Sequence, residues 1–128
     1  MYEWVDHTSE LELHIETETP ELVFHDALRA LSELLVPGTG DRRSRKLRFP
    51  GSGRDRLLWQ WLDELVFLNE TEGFVPESAE LTLDETGLEA TISGSLGEPS
   101  ALVKAVTYHG LAFEEMDGRY RARVVLDV

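Results

Sequence analysis

Oxygen donors gather at two distant positions of this 128-residue chain: Asp6, Thr8 and Glu10 near one end, and Asp127 beside Val128 at the other. Hard divalent cations such as Ca²⁺ and Mg²⁺ take carboxylates, backbone carbonyls and water as ligands. A loop carboxylate lying against the end of a strand would supply such a cage if the two ends met. Spacing leaves that open, and the plain alternative is a scatter of surface acids in an acid-rich protein. A lone lysine adds a second kind of chemistry. In Val103-Lys-Ala-Val-Thr-Tyr-His109, read as a strand, Lys104 shares a face with Val106 and Tyr108, opposite Val103, Ala105, Thr107 and His109. Such a lysine either guards a strand edge against aggregation or, beside carboxylates, presents a stabilised ammonium to a phosphate or carboxylate.

Other chemistries find no support. The chain has no cysteine, which removes disulfides, zinc–thiolate sites and thiol nucleophiles. No Gly-x-Ser-x-Gly elbow occurs, and His7, His14, His25 and His109 lack the paired spacing of a zincin helix. His14 and His25 read as structural or solvent-exposed residues, Tyr108 and His109 as packing residues, and Thr8 as a local hydrogen-bonder. The Trp59-Gln60-Trp61 pair is explained by packing rather than by stacking on a ligand.

The net charge of −13 is unevenly spread. Seven of the twelve basic residues lie between Arg42 and Arg56, with Asp55 the one acid among them. An acidic body repels a phosphate backbone, so direct nucleic-acid binding is not expected. The basic segment reads as a solvated loop and strand edge, since it lacks aromatics that would stack on bases; contact with RNA or an acidic protein is the alternative. The first residues lack the basic start and apolar core of a signal peptide. No apolar run approaches the ~20 residues that cross a bilayer. A soluble, cytoplasmic protein with no membrane partner is therefore expected.

The elements that must position these residues follow from periodicity. Met1 to Val5 and the alternating Leu11, Leu13 and Ile15 predict two strands flanking the loop from Asp6 to Glu10. Thr19-Pro20-Glu21 opens a helix with a cap, a first-turn proline and an acid at the positive end. Phe24, Leu28, Leu31 and Leu35 give it one apolar stripe. A short strand from Lys46 to Phe49 precedes a second amphipathic helix lined by Leu58, Trp61, Leu62, Leu65 and Leu68, with Ser52 or Asp55 as its cap. A hairpin over residues 81–92, the strand at 101–109, and a strand through Tyr120, Ala122, Val124 and Leu126 complete the chain. Asp117-Gly118 marks a tight hairpin turn before the last strand. The expectation is one domain spanning residues 1–128. Its class is α+β: two layers, with a mainly antiparallel or mixed β-sheet packed against two amphipathic helices.

The order of residues in Lys104-Ala-Val-Thr-Tyr-His109, followed by Gly-Leu, resembles the signature strand of the archease family. Tyr2-Glu-Trp-Val-Asp-His-Thr8, the stretch from Leu57 to Gly73, and Val124-Val-Leu-Asp-Val128 agree with it in order and spacing. The resemblance covers essentially the whole chain.

That resemblance implies a divalent cation, typically calcium, held by Glu10, Asp127 and the backbone carbonyl of Val128, with Asp6 as a further candidate. Here Ser9-Glu10 stands where the family has Ala-Asp, so the loop carboxylate reaches one methylene farther. Lys104 corresponds to the family's functional lysine, acting with Asp127. The implied function is that of a non-enzymatic protein cofactor of an RtcB-type RNA ligase in tRNA splicing or RNA repair. Such a ligase uses Mn²⁺ and GTP and passes through a guanylylated histidine. Its cofactor promotes guanylylation and multiple turnover, meeting GTP and RNA only through the ligase. The alternatives are a chaperone-like interaction module for RNA-modifying enzymes and, more remotely, a calcium-dependent hydrolase for which no nucleophile is evident.

Overall fold

The computed structural model describes all 128 residues as seven strands and two helices. Strands β1 (Tyr2–His7) and β2 (Glu10–Thr17) form a hairpin, followed by helix α1 (Pro20–Leu34). Strand β3 (Arg42–Pro50) leads to helix α2 (Arg54–Glu72), then β4 (Phe74–Asp84) and β5 (Gly87–Leu96). Strands β6 (Ala105–Met116) and β7 (Arg119–Asp127) end the chain. The order β1-β2-β7-β6 makes a first sheet and β3-β5-β4 a second, every pair antiparallel.

The α+β class stands, but with two sheets in place of the single sheet expected. Alternation of apolar residues reports which face of a strand is buried and leaves its neighbour unspecified. Strand β3 is also twice as long as its apolar residues suggest. Its ladder to β5 starts at Arg42, five residues before Leu47, the first apolar residue of the strand.

Helix α1 starts where the sequence places it. Thr19 Oγ1 accepts the Leu22 N–H at 3.3 Å, Pro20 fills the first turn, and Val23, Phe24, Ala27, Leu28 and Leu31 are buried. Helix α2 starts at Gly53 with no side-chain cap, so neither Ser52 nor Asp55 serves there; Asp55 Oδ1 accepts the adjacent Arg56 N–H instead. It ends at Gly73, whose φ of 71° suits glycine. A Cβ at Gly73 would collide with the Gly97 carbonyl oxygen, so the residue is required twice over.

The two helices lock together at Trp61. Its ring is wholly buried, meets Phe24 edge-on at 6.2 Å, and donates its indole N–H to the Phe24 carbonyl at 3.0 Å. Truncating such a residue to alanine costs about 3–5 kcal/mol. Trp59 takes a different place: half-buried, it stacks on Tyr108 and donates to the Val106 carbonyl at 2.7 Å. Both tryptophans are packing residues, as the sequence suggests.

Buried Asn69 ties the loop before β6 to α2. Its Nδ2 donates to Phe74 O and its Oδ1 accepts the Ser100 N–H at 2.9 Å. That loop delivers Lys104 to the first sheet. Strand β6 begins at Ala105, not at 101, and its register breaks between Thr107 and Ala112. The alternation expected from Val103 to His109 therefore fails: Val103 and Val106 are both buried, whereas Ala105 and His109 are exposed. At the other end of β6, Asp117 and Gly118 adopt φ of 53° and 76°, the paired positive values of a tight hairpin turn.

Candidate site at the end of the first sheet

The two ends of the chain meet in one rung of the first sheet. Strand β2 pairs with β7 from Glu10↔Asp127 inward, β1 adds His7 opposite Glu10, and β6 adds Ala105 opposite Asp127. Residues directly opposite in an antiparallel ladder share a face, with Cβ atoms about 4.5–5.5 Å apart. Glu10 and Asp127 therefore stand side by side, on the face away from the core to which Leu13, Ile15, Val124 and Leu126 point. Two backbone bonds close the end: Lys104 N–H donates to Asp127 O at 2.7 Å, and Val128 N–H to Ser9 O at 3.0 Å. Ser9 reaches this contact with a φ of 62°, an uncommon conformation for a residue with a Cβ.

Like charges placed directly opposite one another destabilise a sheet. Neither Glu10 nor Asp127 has a Lys, Arg or His nitrogen within 4.0 Å, although eleven ion pairs form elsewhere. The half-buried carboxylates thus share one face with no ion-pair partner in the chain. Exposed Lys104 makes its contact with Asp127 through the backbone, so the strand end is pinned by that hydrogen bond and not by an ion pair.

Asp6 belongs elsewhere. It pairs with Leu11, which pairs with buried Leu126, so its side chain lies on the opposite face from Glu10 and Asp127. No three His, Cys, Asp or Glu side chains converge into a metal-holding group. The hard oxygen set of Glu10, Asp127 and the Val128 carbonyl fits a calcium- or magnesium-like ion that keeps water ligands, and does not suit a thiophilic metal. Asp6 does not fit as a further ligand.

One rung farther in, Glu12 anchors a polar network that sequence reasoning missed. Its Oε1 lies 3.2 Å from His7 Nε2 and 3.0 Å from Arg123 Nη2, and its Oε2 lies 3.0 Å from His14 Nε2. The hydrogen bond from His14, helped by the charges of Arg123 and His7, outweighs desolvation and holds the Glu12 carboxyl below the usual range. Alternation alone signals this cluster, since His7, Glu12 and His14 are outward residues of paired strands. Exposed Thr8 makes no side-chain hydrogen bond, and exposed His109 is not a packing residue.

The largest surface hollow, about 540 Å³, lies along the same face over His14, Arg121 and Arg123 and excludes Glu10, Asp127 and Lys104. A hollow of about 440 Å³ does reach Lys104, walled by Glu70, Pro99, Ser100, Ala101 and Val103. Four of the seven basic residues between Arg42 and Arg56 are paired within the chain. Arg42 pairs with Glu77, Arg43 with Asp41, Arg45 with Glu72 and Arg48 with Glu89. No helix is long and apolar enough to cross a membrane.

Comparison with known proteins agrees with this architecture. The family model described as "Archease protein family (MTH1598/TM1083)" matches residues 2–128. The protein archease of Archaeoglobus fulgidus is 31% identical over 99% of this chain and 98% of its own. That of Methanopyrus kandleri is 28% identical over 99% of both chains. Among solved structures, protein 1598 of Methanobacterium thermoautotrophicum superposes with a TM-score of 0.76 at 28% identity, covering 99% of this chain and 98% of that one. An archease of Thermotoga maritima, described as a possible chaperone, shares the fold with a TM-score of 0.69 at 19% identity, over 100% and 98% of the two chains. The chain belongs to the archease family.

Proposed function

We propose that the protein has no reaction of its own and serves, in the cytoplasm, as an activating cofactor of an RtcB-type RNA ligase. It promotes GTP-dependent guanylylation and repeated turnover during tRNA splicing or RNA repair. The observation carrying this reading is the Glu10–Asp127 rung: two adjacent carboxylates with no cation of the chain beside them, closed on one side by the backbone of Lys104.

Glu10 and Asp127, with the Val128 carbonyl, would hold a divalent cation of the calcium type. Bound there, the ion would neutralise the paired carboxylates and offer positive charge to a phosphate oxygen. Lys104 is fixed by its N–H to the Asp127 carbonyl, while its side chain is exposed and unpaired. Its ammonium is free to meet a phosphate as a compact point charge. A small edge that carries both charges can enter a partner's active site and orient GTP phosphates there. The partner, not this chain, meets RNA: the body is acidic, and Arg42, Arg45 and Arg48 are paired with carboxylates.

The test is guanylylation of the cognate ligase with substoichiometric wild type, Asp127→Ala or Lys104→Ala, each checked for folding. Stimulation by wild type that is lost in both variants is the expected result. Equal stimulation by all three would remove the site from the mechanism and favour a chaperone-like role.

A further inference from the structure

Helix α2 carries an outward stripe that the chain covers only at its Trp59 end. Trp59, Asp63 and Phe67 follow at four-residue steps and so line one side of the helix. Trp59 is fixed at one end of the stripe. Its indole N–H is held by the Val106 carbonyl, and its ring is stacked on Tyr108 at 4.6 Å and 15°. Phe67 on α2 and Tyr108 on β6 are 53% and 56% exposed, large apolar surfaces left in water. Asp63 lies between Trp59 and Phe67 in the stripe and has no ion-pair partner within the chain. Asp63 is exposed, yet partial desolvation pushes its carboxyl above the usual range.

We propose that this stripe, Trp59, Asp63 and Phe67 with Tyr108 beside it, docks an arginine- or lysine-bearing segment of the partner enzyme. A guanidinium or ammonium seated at Asp63 would pair with its carboxylate. The flanking aromatic faces add cation–π attraction and cover the aliphatic stem of the basic side chain. Charge selects the occupant. The protein carries −13, and the stripe presents an unpaired acid between aromatics, so a basic segment with an apolar flank is complementary to it. A second copy of this chain is a poorer match, because it carries the same net charge of −13 and would be repelled.

The stripe is continuous with the proposed working edge. From Trp59, beside Val106, the helix runs to Glu70, which walls the hollow that ends at Lys104. A segment held along α2 would bring the partner's surface to Lys104 and Asp127. Docking and activation are thereby divided between neighbouring surfaces: α2 supplies affinity, the sheet end supplies the effect.

That the partner is the ligase rests on the function proposed above. The test measures both binding of the cognate ligase and its guanylylation, for wild type, Asp63→Asn, Phe67→Ala and Lys104→Ala. For Asp63→Asn and Phe67→Ala, the dissociation constant and the concentration giving half-maximal guanylylation should rise about tenfold, the size of a 1.4 kcal/mol contact. The plateau of stimulation should be kept. Lys104→Ala should do the reverse, binding normally and failing to stimulate. Asp63→Asn should melt no lower than wild type at pH 7, because a carboxyl with a raised pKa costs stability when ionised. That separates lost docking from lost folding. If wild type stimulates and the two stripe variants bind as it does, the docking site is overturned while the functional reading stands. If wild type neither binds nor stimulates, both fall. A stripe variant that changes self-association but not ligase affinity would reassign the surface to a second copy and overturn the proposal.

Discussion

Strand β3 at the edge of the second sheet and the closing rung of the first sheet both crowd like charges, with opposite outcomes. On β3, Arg42, Arg43, Arg45 and Arg48 each meet a carboxylate, so a segment that looks like an anion-binding patch is mostly neutral in place. Across β2 and β7, Glu10 and Asp127 face one another with no cation of the chain near either. Clustered charge in a sequence is therefore a poor guide to a binding site. Charge left without a partner after folding is the better one. By that measure β3 is a finished surface and the Glu10–Asp127 rung an unfinished one.

The sharpest way to break this contrast is to offer the rung a divalent cation. A ligand that binds only the folded state stabilises it by about 2.7 kcal/mol at a concentration one hundred times its dissociation constant. Excess Ca²⁺ over a chelator-treated baseline should raise the melting temperature of wild type by several degrees, and that of Glu10→Ala or Asp127→Ala hardly at all. An equal shift in all three would mean that the rung holds no ion.

The second prediction converts one region into the other. Glu10→Arg places a cation opposite Asp127, replacing repulsion by attraction worth about 0.2–1 kcal/mol. Without divalent ions this variant should unfold at higher urea than wild type. With Ca²⁺ the order should narrow or reverse, since only wild type keeps both carboxylates. A variant less stable than wild type in chelator would show that the two acids do not strain the native sheet.

How far these regions could be read from sequence differs for physical reasons. Helix α1 was legible down to its cap, because Thr19, Pro20 and the spacing of Phe24, Leu28 and Leu31 are local signals. Strands β2 and β7 were legible from alternation, and the Asp117-Gly118 turn from its residue types. The meeting of Glu10 with Asp127 depends on which strands become neighbours, and period 2 does not encode that. Only the motif resemblance pointed to both residues together. Asp6 illustrates the same limit: four residues from Glu10 in sequence, it faces the other way once β1 and β2 pair. The early start of β3 was hidden because arginines are poor strand indicators, and the carboxylates that Arg42, Arg45 and Arg48 meet lie 27 to 41 residues away in sequence.

Glu12 adds a region of intermediate character, an acid already supplied with partners beside the rung that lacks them. Its carboxyl is held below its ordinary range, so folding is favoured while it is ionised. That contribution is complete above the unfolded-state value of about 4.3 and is lost as pH falls through the lower folded-state value. The gap in urea midpoint between wild type and Glu12→Gln should therefore shrink as the solution is taken from about pH 5.5 to pH 3. A gap unchanged at pH 3 would mean that His14, Arg123 and His7 do not stabilise the ionised form.

The smallest effect is expected on β3. Glu77 accepts two bonds from Arg42 Nη1 at 2.7 Å and one from Ser95 Oγ at 2.9 Å, and these hold its carboxyl below the usual range. Yet the Arg42 side chain is 65% exposed, so water and salt screen the pair. Exposed pairs of this kind contribute about 0–1 kcal/mol. Arg42→Ala should lower the urea midpoint slightly at low ionic strength and by less in 1 M salt. A large, salt-insensitive loss would mean that β3 needs Arg42 to hold its register against β5, and the second sheet would then depend on its charges as strongly as the first sheet is burdened by its own.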